Sequence, residues 1–347
     1  MPISIAEAKS LIKAAPPEDA ILLTGPPGFG KSSAVAQAAA ESDWHYWPIY
    51  AATLEAVELR GLPHLNNSKA EWAAFRGVLP LADEPHEGVI AINIDDAGQS
   101  APSVLKAIVR TVYGDGTERK CGTHALYPNV RIYGTSNLHT HRAGAHRFET
   151  YVTNRVTTVE IAPDPAQWAT WALEHGVNPI VVGYVQWSKT ITDFAPEKDA
   201  FMSPRSLEKL GRFVDSLGAA GINGSILREV TMGTIGAEAG SQFLAYHALS
   251  AKLPDMDKLL AGDAVKLPTR PEVQYMLVST IVRVAEEKHV PVVAGLINKL
   301  TETGGTGFEV AAFLTLECVK GSATKLRGVR TRPELYRWLS TYGRYLP

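Results

Sequence analysis

The chain of 347 residues has little cysteine: Cys121 and Cys318 are too few for a disulfide framework. A reducing compartment is therefore expected. Long hydrophobic runs are also missing. No stretch approaches the ~18 apolar residues of a membrane helix, so no span is expected. The opening residues, MPISIAEAKSLIKAAPPEDA, carry acids and no long apolar core, so no signal peptide is expected either. The chain shows no internal repeat and no low-complexity segment, and no excess of positive charge. Its 34 Lys and Arg against 36 Asp and Glu give a formal net charge of -2 and a pI near 6.6. That excludes a global basic footprint for nucleic acid, although a local patch could sit within it. What is present is a hydrophobic fraction of 45% and a charged fraction of 20%, the balance of a soluble globular protein with a proper core. The length suits two or three domains, and a cytosolic setting is expected.

Residues 24 to 33 read TGPPGFGKSS. The apolar run AILL precedes them and predicts a buried strand. KSSAVAQAAAES follows and predicts a helix. Strand, glycine-rich loop and helix together make a phosphate-loop signature, Gly25-x-x-x-x-Gly30-Lys31-Ser32. The candidate cradle is Gly25, Pro26, Pro27, Gly28, Phe29 and Gly30, with Lys31, Ser32 and Ser33 opening the helix. Glycines at 25, 28 and 30 let backbone amides approach phosphate, and the helix N-terminus adds partial positive charge. Lys31 can reach the β- and γ-phosphates, and the Ser32 hydroxyl can ligate Mg²⁺.

Such a site needs an acid on a neighbouring strand. Residues 88 to 96 read GVIAINIDD, a β-branched run that fits a buried parallel strand. Asp95 and Asp96 close it, at the end where open α/β sheets place ligands. Asp95 is the candidate metal-side acid. Asp96 is the candidate general base that orients the attacking water. A strand ending in a solvated acidic turn is the plain alternative.

With these residues in place, the chain resembles the AAA+ ATPases, and within them the MoxR-type group that includes the CbbQ/NorQ-like activators. The resemblance continues in order. ELRGLP (58–63) matches the segment after the second strand. AGQSAPSVLKAIVRTV (97–112) matches the helix after the acidic strand. GTHALYPN (122–129) matches a hairpin and turn, and VRIYGTSN (130–137) the fourth strand. Asn137 then matches the polar sensor that bonds the water or the γ-phosphate. Alone, it is an ordinary turn residue. Arg155, in YVTNRVTTVEI, matches the finger sent into a neighbour's site. Arg142 and Arg147 are rivals for that role, and a solvated surface charge is the alternative. Arg205, in the Pro204-Arg205 pair, matches the second sensor of the helical lid. The family's usual acid pair is Asp-Glu. Here it is Asp95-Asp96, which implies slower hydrolysis.

The resemblance implies an α/β phosphate-loop NTPase fold: a parallel sheet sandwiched by helices, an all-helical lid and a helical C-terminal extension. Expected bounds are 1–162, 163–250 and 251–347. It implies ATP or ADP with Mg²⁺, a hexameric ring, and a partner protein remodelled by the ring, such as a von Willebrand factor A-type protein. A nucleic-acid motor or loader, and a slow or non-hydrolysing ATP sensor or scaffold, are the rival readings. A small-molecule kinase is disfavoured, since the sensor-like segments have no role there.

Beyond the core, SPRSLEKLGRFVDSL (203–217) predicts a Ser-capped helix with Leu207, Leu210, Phe213, Val214 and Leu217 as a buried stripe. REVTMGTIGAEAGSQFLAYHAL reads as one further helix. LPDMDKLLAGDA, PEVQYMLVSTIVRVAEEK and TRPELYRWLSTYGRYL read as helices of the extension. Tyr336, Trp338, Tyr342 and Tyr345 form either a partner surface or a locally buried stripe. Cys121 and His124 have zinc-like spacing but no second ligand pair. LHTHRAGAH (138–146) reads as a loop with three histidines, a weak metal candidate.

Overall fold

The computed structural model describes residues 1–66, 69–111, 119–121, 123–138, 140, 148, 150–222, 224–303, 306–320 and 324–345. The chain divides into two compact units. The first holds Met1–Pro163 and Ala195–Glu197, the second Asp164–Phe194 and Lys198–Pro347. Among the described residues, no helix is long and apolar enough to cross a membrane.

The first unit runs α1 (Ile5–Ala14), β1 (Ala20–Thr24), α2 (Lys31–Glu41), β2 (His45–Tyr50), α3 (Ala56–Arg60), β3 (Leu62–Asn66) and β4 (Lys69–Ala73). It continues with β5 (Ile90–Asp95), α4 (Pro102–Thr111), β6 (Lys120–Cys121), β7 (His124–Ala125), β8 (Val130–Ser136), α5 (Thr150–Thr153) and β9 (Val156–Glu160). Five strands form one parallel sheet in the order β2-β5-β8-β1-β9. Strands β3 and β4 pair as a separate antiparallel hairpin, as do β6 and β7.

Side-chain alternation builds the layers. On one face of the sheet, Ile21, Leu23, Ala91 and Tyr133 pack against Ala8 and Ile12 of α1 and Ala34, Val35 and Ala38 of α2. On the other face, Ala20, Leu22, Ile90, Ile92, Ile94 and Ile132 pack against Val104, Leu105 and Ile108 of α4. Because both faces are covered, the central strands are buried almost throughout, and apolar side chains make up most of β1 and β5. Polar ties fix α1: Tyr133 donates its hydroxyl proton to the Ile12 carbonyl at 2.9 Å and Arg131 donates to the Ala15 carbonyl at 2.7 Å. The result is the expected α/β phosphate-loop architecture, a parallel sheet between helices followed by helices alone.

The second unit contains α6 (Pro165–Glu174), α7 (Pro179–Ser188), α8 (Pro204–Ala219), α9 (Ser225–Ile235) and α10 (Ala237–His247). It ends with α11 (Met256–Ala261), α12 (Pro271–Val284), α13 (Val290–Thr301), α14 (Gly307–Lys320) and α15 (Pro333–Tyr342). The first three of these helices each start with a side-chain cap and a proline in the first turn: Asp164, Asn178 and Ser203 accept backbone N–H bonds. Helices α7 and α12 cross closely. A Cβ on Gly183 would lie 2.6 Å from the Tyr246 hydroxyl and 3.0 Å from the Met276 Cα, so the glycine leaves room for the close approach. Two apolar clusters, one around Tyr184, Phe243 and Tyr246 and one around Ile297, Leu314 and Trp338, fill the unit.

Two expectations for this part need correction. REVTMGTIGAEAGSQFLAYHAL is two helices, not one. Gly236 separates α9 from α10 with a φ of 85°. A Cβ there would meet the Ala200 carbonyl oxygen at 2.6 Å, so the backbone turns where only glycine is accommodated. The stripe of α8 buries Leu207, Leu210 and Val214, but Phe213 is exposed beneath the Lys209 ammonium, 5.9 Å from its ring centre. The C-terminal aromatics split as well. Trp338 is buried against Phe308 and Tyr342, while Tyr336 is 63% exposed.

Candidate active site

Strand β1 is fully buried and ends at Thr24. The chain then turns through Gly25, Gly28 and Gly30, with φ of 147°, 80° and 87°. A Cβ on Gly25 would sit 2.9 Å from the Ile161 carbonyl oxygen. Helix α2 starts at Lys31. Its N-terminus has no side-chain cap and no acid in the first turn, so its positive end is left for an external anion. Phe29 is buried, Pro26, Pro27 and Gly28 are half-buried and Ser33 is exposed. Lys31 is buried, and its ammonium donates to the carbonyls of Gly25 and Pro26, each at 2.9 Å, and to Asn137 Oδ1 at 2.8 Å.

That last bond joins the loop to a second strand end. In the sheet β8 lies between β1 and β5, so the three C-terminal ends lie side by side. β1 delivers the loop, β8 delivers Asn137 one residue past its end, and β5 delivers Asp95 at its last position. Ser32 Oγ donates to Asp95 Oδ1 at 2.5 Å. Thr135 donates its hydroxyl proton to the same oxygen. Thr135 in turn accepts the Asp96 backbone N–H at 3.2 Å. The backbone at Asp96 is left-handed, with φ 53° and ψ 39°, a conformation that Asp tolerates better than most residues. The Ser32 hydroxyl and the Asp95 carboxylate are hard oxygen donors in contact, a pair that fits Mg²⁺.

No protein-family model and no curated protein matches the chain in sequence. Among solved structures, it is similar to NtrX from Brucella abortus at 15% identity and a TM-score of 0.39, over 73% of this chain and 62% of that one. A second NtrX structure, in complex with ADP, is similar at 15% identity and a TM-score of 0.37, over 97% of this chain and 68% of that one. The chain therefore spans less than two thirds of the first NtrX chain. So remote a likeness carries no weight for activity, and the chemistry rests on the residues themselves.

The structure does not bring every candidate to this cluster. Arg155 is exposed just before β9. Register pairs Val156 with Ala20 and Glu160 with Thr24, so Arg155 stands at the opposite end of the sheet from the loop. Four residues of strand separate the two ends, about 13 Å. Arg205 is exposed in the first turn of α8, in the second unit. Arg142, Arg147 and the three histidines of residues 138–146 lie outside the described residues. His124 is a Cα partner of Cys121 in the small hairpin, and its Nε2 lies 2.8 Å from the Trp72 carbonyl oxygen. Among the described residues, no group of three or more His, Cys, Asp or Glu side chains could hold a metal ion. Cys318 is buried, which pushes its thiol up to about 12 and leaves it unsuited to nucleophilic work.

One residue was missed by sequence reasoning. Thr135 is fully buried and touches both acids, Asp95 through its carboxylate and Asp96 through its N–H. The available signal was the spacing. Thr135 and Asn137 stand two apart at the end of an apolar strand, hence on one face of it.

Proposed function

We propose that this chain is a Mg²⁺-dependent ATP hydrolase of the AAA+ kind, in its MoxR-type branch. The observation that carries the reading is the convergence of Lys31, Ser32, Asp95, Thr135 and Asn137 in one hydrogen-bonded cluster beside the phosphate loop. A bare glycine-rich turn has no reason to gather a buried ammonium, an acid with two hydroxyl donors and a strand-end amide.

In the proposed mechanism the loop amides and Lys31 bind the β- and γ-phosphates. Ser32 and Asp95 would hold Mg²⁺. Bound there, the ion would neutralise charge developing on the phosphate oxygens. Asn137 hydrogen-bonds the γ-phosphate or the attacking water, and Asp96 takes a proton from that water. Its side chain is one methylene shorter than the Glu usual in the family. Turnover slower than the family's ordinary rate follows, and it keeps a sensor-like, nearly non-hydrolysing role as the second reading. Arg155 stands too far from its own loop to serve it, which favours delivery into the site of a neighbouring copy, in a ring that is hexameric by the family resemblance. Such a finger contributes on the order of 10³–10⁵ in rate. Arg205 is assigned to the same charge from the helical unit. The work done is remodelling or activation of a cytosolic partner protein.

Steady-state ATP hydrolysis across a range of protein concentrations, wild type beside Arg155→Ala, tests this. Specific activity that rises with concentration and collapses in the variant supports a site completed between copies. Activity that is flat with concentration and indifferent to Arg155 overturns the ring, and absence of turnover in wild type leaves the sensor.

A further inference from the structure

The chain is almost neutral, but its charge is not evenly spread. Residues 324–345 contain Lys325, Arg327, Arg330, Arg332, Arg337 and Arg344 and a single acid, Glu334, while the whole chain carries -2. The remainder is therefore distinctly acidic. The fold decides what this stretch presents. Thr324–Thr331 is a 3₁₀ helix, in which residues three apart eclipse one another. Leu326 and Val329 form its buried row, and Arg327 and Arg330 form an exposed row. Helix α15 packs beside it, and both rest on α13. Helix α15 buries Leu335 and Trp338 and presents Tyr336, Arg337 and Thr341, with Arg344 following in the same row. Of the acids nearby, two stand beside cations, and Glu287, on the turn packed against this stretch, is exposed. Glu334 lies 3.5 Å from Arg332, and Glu286 lies 3.1 Å from Lys288, its carboxyl held low by Lys288 and further by Lys325.

From this surface we infer that the C-terminal helical segment binds nucleic acid, along a track made by Arg327, Arg330 and Arg337 with Tyr336 beside them. Arginine forks match phosphate oxygens, and an exposed tyrosine among them offers a stacking face for an unpaired base. A membrane surface fits poorly, because the apolar side of the segment is already buried in the unit's core. A protein partner fits less well, because among the described residues of this segment Tyr336 is the one exposed large hydrophobic, whereas protein interfaces have an apolar centre. The inference goes beyond the ATP hydrolase reading and does not depend on it, since binding can be read without nucleotide.

The test is fluorescence anisotropy of a short labelled single-stranded DNA with the full chain, over a salt series. Wild type is compared with Arg327→Gln/Arg330→Gln/Arg337→Gln and with a control, Lys209→Gln/Arg212→Gln, which removes exposed cations from α8 of the same unit. Melting curves confirm that each variant folds, and ATP hydrolysis of the triple variant is expected to match wild type. Expected is binding that weakens steeply with salt, a loss of at least tenfold in the triple variant, and no change in the control. The slope of log K against log salt should fall by about 2 units, at about 0.7 for each phosphate contact on a single strand. Tyr336→Ala should weaken binding several-fold at unchanged slope. No binding, or equal binding by the triple variant and wild type, overturns the inference. Poly-glutamate bound as tightly as DNA overturns it in favour of an acidic protein partner. Capture by anionic phosphatidylserine vesicles without DNA binding overturns it in favour of a lipid surface.

Discussion

Thr135 reaches both acids of the site without being an acid itself. Its hydroxyl donates a hydrogen bond to Asp95 and accepts one from the Asp96 N–H, so a single side chain sets a carboxylate and a left-handed turn together. Thr135→Val keeps the shape and removes both bonds. The Asp96 N–H then loses its bond to Thr135, at a stability cost of about 1 kcal/mol. Turnover should fall by about tenfold, equivalent to about 1.4 kcal/mol at the transition state, with little change in KM for MgATP. Thr135→Ser should restore most of the rate. Equal rates in all three proteins would remove Thr135 from the mechanism. This residue shows where sequence reading stops. Lys31, Ser32 and Asp95 could be named from sequence because each is a chemical type that phosphate or magnesium demands, whereas Asn137 was named only through the family resemblance; the structure brings the four together. A buried threonine in a β-branched run looks like packing until the fold supplies its neighbours.

Elements were legible where one physical rule dominated. β1 and β5 are mainly apolar runs because both faces of the sheet are covered, and α8 declared itself through its Ser203 cap and Pro204. β2 was not legible: it is an edge strand with Pro48 inside it and mixed exposure, so it shows neither alternation nor an apolar run. The β3–β4 hairpin stands apart from the sheet and is short and largely exposed, which leaves almost no pattern in the sequence. The break between α9 and α10 depends on a carbonyl oxygen some way back in the chain, which no local window contains. Two glycines make that argument testable. Gly233 lies inside α9 with open space around it, and Gly236 is the positive-φ break. Gly233→Ala should stabilise the protein by about 1 kcal/mol, because alanine is the better helix former. Gly236→Ala should destabilise it by about 1–3 kcal/mol, since the added methyl meets a backbone oxygen in a strained conformation. Urea unfolding of the pair checks both signs. Stabilisation by both substitutions would mean that the break is not enforced.

At the scale of the whole molecule, the loop and Arg155 lie at opposite ends of one parallel sheet. If each copy lends its arginine to a neighbour, two inactive proteins can complement each other. Lys31→Ala lacks the phosphate grip but keeps the finger, and Arg155→Ala keeps the grip but lacks the finger. A mixture should recover a substantial fraction of wild-type hydrolysis. Strict inactivity of the mixture, with both variants folded and assembled, would show that each copy completes its own site. The cationic stretch in the second unit has a different molecular consequence. A chain with a formal charge of -2 has almost no net self-repulsion near its pI of 6.6, yet it carries a cluster of arginines against an acidic remainder. Its charge is therefore unevenly spread, and copies attract one another through unlike patches when little salt is present. Turbidity near the isoelectric pH should fall as salt rises towards ~0.15 M, where the Debye length shrinks to about 8 Å. The protein should salt in, and ionic strength becomes a control on its solubility separate from any effect on its chemistry.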